Sequence, residues 1–284
     1  MTTRALTHDT LAPDAPVHDT PAPDAPTTGS RLPRQSPADS TRPVPELGLG
    51  RAVVVDLRKL VNTRAHQAII AGGTLLMAAF AGGRALVPSA ETSVADLPVM
   101  ALAPAGWMVM VLAVLLVSAE FSRRTVETSL VLDPRRGRFV AGKLLALLVA
   151  VVALLALALV LGLGAGLVAP LLTGHALPWS LDAQRFALAA GSLLFVALTG
   201  LAWALLTRNA PAPIVVLLLW PALALLVTSF SEAAGRVLQW VNIEPVWSLS
   251  DPSPLVLARF ATSALVWIVL PGAIGTWRLA KGDL

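Results

Sequence analysis

The chain has 284 residues, of which 56% are hydrophobic and 13% charged, and its formal net charge is +4. With a mean hydropathy of +0.73 it is too apolar to supply the polar surface of a soluble domain, and it reads as an integral membrane protein. There is no cysteine, which excludes disulfides and thiol catalysis.

Residues 1–48 carry an imperfect duplication, "HDTLAPDAPV" then "HDTPAPDAPT", rich in Pro, Ala, Asp and Thr. With almost nothing large and apolar to bury, this stretch is expected to be a disordered tail. It lacks the apolar h-region of a secretory signal peptide. His8 and His18 each precede an Asp, but a flexible tail offers no preorganised metal geometry, and no metal site is expected.

The character changes at residues 51–64, "RAVVVDLRKLVNTR". Val53, Leu57, Leu60 and Val61 recur at i, i+4, i+7 and i+8 and collect on one helical face, whereas Asp56, Arg58 and Lys59 lie elsewhere on the wheel. A basic amphipathic helix ending near Arg64, just before a span, should lie along the inner membrane surface. It is either an anchor in the lipid or a contact surface for a cytoplasmic partner.

Six apolar segments of about spanning length follow, at residues 66–83, 97–118, 144–172, 186–206, 211–230 and 260–277. Backbone groups in lipid must be satisfied within the segment, so each is predicted to be a helix, with Pro98, Pro104 and Pro221 tolerated as kinks. The absence of two-residue alternation excludes an outer-membrane barrel. The expected class is all-α, with residues 49–284 forming one six-helix transmembrane domain.

Orientation follows from the basic residues. A cytoplasmic N-terminus places Arg51, Arg58, Lys59, Arg64, Arg123, Arg124, Arg135, Arg136, Arg138, Lys143, Arg208, Arg278 and Lys281 inside and only Arg84, Arg185, Arg236 and Arg259 outside. The positive-inside rule therefore predicts both termini in the cytoplasm.

Between the second and third spans runs "SAEFSRRTVETSLVLD" (residues 118–133), polar at first and ending in Leu130, Val131 and Leu132. Apolar residues exposed beside charges suggest a docking site; a short interfacial helix lying on the bilayer is the alternative. Asp133 and Pro134 make a helix start, a capping side chain followed by a Pro whose missing N–H costs nothing at the first position. Arg135, Arg136 and Arg138 in a first turn oppose the helix dipole. Attraction to anionic headgroups or an acidic partner accounts for them better.

The same region, "DPRRGRFVAGKLLALL" (residues 133–148), sets Gly137, Gly142 and Lys143 at the spacing of a nucleotide-binding P-loop. Such a loop needs small residues whose N–H groups wrap phosphate, and a Ser or Thr after the Lys to hold magnesium. Here Arg138, Phe139 and Val140 fill the loop and Leu144 follows the Lys. The match is false, so no catalytic or cofactor-binding residue is expected and the chain is not an ATPase by itself.

Glu120, Phe121, Thr125, Leu130, Pro134, Arg136 and Lys143, in that order between spans two and three of six, resemble the membrane subunit of ABC transporters of the second exporter type. The run "LRKLVNTR" before the first span also looks like the start of such permeases. The resemblance covers roughly residues 50–284. It implies two six-span subunits, a second copy or a paralogue completing the dimer, and a separate ABC ATPase that binds ATP and magnesium. That partner would grip a coupling helix at Thr125 to Leu132, which includes Glu127, together with the amphipathic helix ahead of span one. Glu120 would sit at the inner end of span two, able to pair with Arg123, Arg124 or a basic group on the partner. The chain departs from the family in having Arg124 where Gly is frequent before Thr125, and in its long Pro-rich tail.

The longest outer connection, residues 231–259, contains Trp240 and Trp247, which suit a membrane interface, and "PVWSLSDPSP", which breaks any long helix. The resemblance implies short re-entrant helices forming an external gate; the alternative is a solvent-exposed loop anchored by the two tryptophans. Within the spans, Gly162 and Gly166 form a small-xxx-small pair suited to close helix approach. Trp107 and Trp220 either line an apolar substrate path or simply pack.

No Asp, Glu, Lys, Arg or His lies well inside a span, which argues against a proton- or ion-coupled carrier. Half-helix backbone sites keep that carrier as the alternative function. His66 and His175 fall on opposite sides of the membrane, so no intramembrane metalloenzyme is expected. The basic residues track the membrane surface and call for no nucleic acid. The expectation is an exporter permease of a bacterial plasma membrane, contacting lipid and moving an apolar or amphiphilic substrate.

Overall fold

The computed structural model describes residues 49–89, 92–122, 136–180, 182–243 and 245–281. Among the described residues the regular structure is helical, with no strand. The elements are α1 (Leu49–Asn62), α2 (Arg64–Leu86), α3 (Asp96–Ser122), α4 (Arg136–Thr173), α5 (Ala183–Thr207), α6 (Pro211–Phe230), α7 (Glu232–Leu238), α8 (Pro254–Ala264) and α9 (Leu270–Lys281). A π-helical turn, Leu265–Val269, joins α8 to α9.

Six helices are long and apolar enough to cross a membrane: Arg64–Leu86, Asp96–Phe121, Gly137–Thr173, Ala183–Thr207, Pro211–Phe230 and the composite Pro254–Lys281. Each contains one of the expected apolar segments. The third and sixth begin earlier than hydropathy indicates, because a helix continues past its apolar stretch while backbone hydrogen bonds can be made.

α3 is the central helix and packs against α2, α4 and α5. In their most apolar windows α3 and α5 are 67% buried, against 11% for α6, so α3 and α5 form the interior and α6 presents most of its surface outward. Leu, Val and Met gain little by leaving lipid tails for a protein interior, so helices here associate through close packing. Small residues provide it. A Cβ at Gly162 would overlap the Pro98 ring, and one at Gly166 would come 2.9 Å from Val94. The Gly162 and Gly166 pair thus seats α4 on the start of α3.

Local chemistry sets the helix ends. Ser93 N–H donates to Asp96 Oδ2 at 2.8 Å, the reach-back that an acidic residue makes in a capping box. Asp182 Oδ1 accepts from Arg185 N–H at 2.8 Å at the start of α5. α5 ends on Arg208 at φ 56°, a left-handed cap, which lets the chain turn within three residues into α6 at Pro211.

The connection from α6 to α8 is built of short helices: α7, then the 3-10 turns Gln239–Val241 and Pro245–Ser250. Ile243 and Val246 are buried with Met110, Phe195, Leu217 and Trp267, so this segment folds back on the bundle rather than running free. Trp267, in the π turn, donates its indole N–H to Val241 O at 2.9 Å. Farther along the same composite helix, Gly275 lies so near α5 that a Cβ would come 2.6 Å from the Leu205 carbonyl carbon.

Candidate functional site

At one end of the bundle, α1 lies across the beginning of α4, where a Cβ at Gly142 would be 3.7 Å from the Ala52 side chain. Val53 and Leu57 pack against the core cluster and Leu60 is inside it. Asp56, three residues after Val53 and four before Leu60, shares this inward face and is buried. Two corrections to the predicted amphipathic pattern follow. Asp56 belongs to the packed face, and Val61, 57% exposed, lies on its flank, because its position on the wheel is displaced from Leu60 by a full residue step.

Asp56 is there to meet Lys143. The Lys143 Nζ lies 2.7 Å from Asp56 Oδ1 and 2.6 Å from Glu120 Oε1, and the residue is only 1% exposed. Lys59 completes the group, its Nζ 2.9 Å from Glu120 Oε1 and 3.9 Å from Asp56 Oδ1, with its side chain half exposed. Lys143 also approaches the Phe139 ring, 5.3 Å from the centroid. Two carboxylates and two ammonium groups sum to zero formal charge. That balance is the condition under which ionised groups persist out of water.

The cluster binds three elements, α1 through Asp56 and Lys59, α3 through Glu120, and α4 through Lys143. The α5–α6 turn joins at the same end, where the Arg208 guanidinium lies 5.7 Å from the Phe121 ring centroid. Arg278 of α9 donates to Leu206 O at 3.3 Å.

Of the predicted site residues, Glu120, Lys143 and Lys59 are thus brought together. Arg58 and Arg64 are exposed, and Arg136 opens α4. Arg123, Arg124, Thr125, Glu127, Leu130, Leu132 and Pro134 lie outside the described residues, as do residues 1–48. The residue missed was Asp56; an acid at i+3 and i−4 from apolar neighbours was the available signal. The stretch from Gly137 to Lys143 is helical, and its lysine is held by carboxylates.

A second feature lies toward the other end. Trp107 and Trp220, with Trp247 of the connection, line a cavity of about 890 Å³ between α3, α5, α6 and the α6–α8 connection. Arg185 is among its lining residues and pairs with Asp96. Trp240 stands apart from this lining; the Arg259 guanidinium lies 5.9 Å from its ring centroid, and its carbonyl accepts from Ser263 Oγ at 3.2 Å. Among the described residues no group of three or more His, Asp or Glu could hold a metal ion.

No protein-family model matches the sequence, and no curated protein or solved structure matches it either.

Proposed function

We propose that the chain is the membrane-spanning subunit of an ATP-driven exporter of the second ABC type, working with a separate ATPase and a second permease copy or paralogue. The observation that carries this reading is the clamp on Lys143. Glu120 and Lys143 flank the connection at residues 123–135, and Asp56 ties α1 to both. A force applied to that connection by a nucleotide-driven partner would reach α1, α3 and α4 together, since moving any one alone separates buried opposite charges. Thr125 to Leu132, outside the described residues, would be the segment that the partner grips. The basic residues of α1, α4 and α9 support a cytoplasmic side for this end under the positive-inside rule, with both termini inside, and on this reading the chain lies in a bacterial plasma membrane.

A carrier driven by an ion gradient is the second reading, favoured by the same cluster, because buried ionisable groups in a membrane protein commonly serve proton relays.

One experiment separates them. The tagged chain is purified in mild detergent from its native membrane, in parallel with a Leu130→Asp/Leu132→Asp variant. Copurification of a P-loop ATPase with the unmodified chain, lost in the variant, is the expected result. An intact protein without an ATPase, together with transport that collapses on adding a protonophore, would overturn the exporter reading in favour of the carrier.

A further inference from the structure

We infer that the cavity between α3, α5, α6 and the α6–α8 connection binds an uncharged amphiphile, its apolar body between Trp107 and Trp220 and its polar end toward Gln239 and Asn242, beside Trp247. This deepens the permease reading, on which it rests only for calling the ligand a cargo.

Size comes first. At about 890 Å³ this open-sided cleft, with Trp107 and Trp247 partly exposed, is within the size range of clefts that hold drug-sized ligands, about 300–1,000 Å³. Its polarity is graded along the bundle. Arg185, in the first turn of α5, and Gln239 and Asn242, in the connection, lie at chain positions near one end, whereas deeper in α5 the one polar side chain of the described lining is Ser192. Trp107 is eleven residues into α3 and Trp220 ten residues from the end of α6, which at about 1.5 Å per residue sets both roughly 15 Å deeper. That depth is near the middle of an apolar layer about 30 Å thick. A ligand polar at one end and apolar over most of its length matches this gradient.

Charge along the described lining favours a neutral ligand. Among the described lining residues Arg185 is the one formally charged side chain, and Asp96, which also takes the Ser93 N–H and hydroxyl, already neutralises it. An anion or cation in the cavity would therefore be desolvated without a counter-charge of its own. The aromatic wall is also set in advance: Trp220 meets Trp267 edge-on with centroids 5.0 Å apart, and Trp267 is anchored to Val241. A fixed wall spares the ligand the cost of ordering it.

Nile red, an uncharged solvatochromic amphiphile, is the probe, titrated against the full-length chain in nanodiscs. Expected are a saturable blue-shifted signal above empty nanodiscs and affinity weakened about tenfold in Trp220→Ala, the loss of one aromatic contact with its buried area. Gly106→Leu is the second variant. Gly106 lines the cavity and a Cβ there meets nothing within 4 Å, so this change adds a side chain at the lining without removing packing and should weaken saturable binding. Trp277→Ala, on an exposed ring, should bind as the unmodified chain does. Decanol should displace the dye and decanoate should not; dioleoylglycerol as a third competitor separates a bilayer lipid, which it would mimic, from a smaller solute. Partitioning no greater than into empty nanodiscs, equal affinity in Gly106→Leu, or equal displacement by decanoate would overturn the inference. No nucleotide or ATPase is present, so failure here leaves the exporter reading standing, and loss of the ATPase partner leaves this site standing.

Discussion

Lys143 and Glu120 stand 2.6 Å apart across the junction of α4 and α3, and the same lysine reaches Asp56 of α1 at 2.7 Å. One buried ammonium is thus the common counter-ion of two carboxylates from two other helices. Its removal should cost far more than the loss of one ion pair.

Lys143→Met keeps much of the side-chain volume but leaves Asp56 and Glu120 buried with the half-exposed Lys59 as a remaining counter-ion. We expect a loss of about 3–5 kcal/mol, the scale for stranding buried charge, read as a lowered thermal midpoint in detergent. Asp56→Asn/Glu120→Gln in the same background should recover much of it. A midpoint unchanged in Lys143→Met would contradict the buried clamp.

Lys59 contacts the same carboxylates from a half-exposed position. Lys59→Ala should therefore shift stability by no more than about 1 kcal/mol, and less at high salt. A Lys59 variant as damaging as Lys143→Met would mean that water does not reach the outer half of the cluster.

Glu120→Gln preserves the shape of the group and removes its charge. On the proposed exporter reading, expression should be retained while transport and its coupling to ATP hydrolysis fall, measured in vesicles containing the full complex. Unchanged transport would remove the cluster from the coupling path.

Gly162→Ala should lower the thermal midpoint, because the added methyl meets the rigid Pro98 ring and backbone, whereas Gly164→Ala, with nothing within 4 Å, should not. Equal behaviour of the two variants would refute close seating of α4 on α3.

At the opposite end, Asp96→Ala removes both the Arg185 pair and the reach-back to Ser93 N–H. It should be more destabilising than Arg185→Ala, which leaves the cap, with Asp96→Asn between them; the cap alone is worth about 1 kcal/mol. Chemical unfolding midpoints give the order.

The six long helices were legible because each contains an apolar run of spanning length, and runs of that kind need no tertiary information to be recognised. The cluster was legible only in pieces. Glu120 and Lys143 bound apolar segments, and a charge in that position reads equally well as a headgroup contact. Nothing in the sequence links Asp56 to a lysine 87 positions away. The periodicity of α1 was misread by one flank because Val61 is apolar and Asp56 is not, although the inward face is set by angle rather than by polarity. The α6–α8 connection had Pro and Trp as visible signals, but its burial depends on Ile243 and Val246 finding the distant Phe195 and Trp267, which no local pattern reports.

The π turn at Leu265–Val269 fixes the phase of the last helix. An α-helix advances about 100° per residue, and a π turn accommodates one residue more than the regular helix would. Trp267 must face the Val241 carbonyl while Gly275 faces Leu205. The extra residue works as an angular shim between these two demands. Deleting a single residue there would leave a longer uninterrupted α-helix and still forfeit one of the contacts, so at this position regularity and fit are opposed.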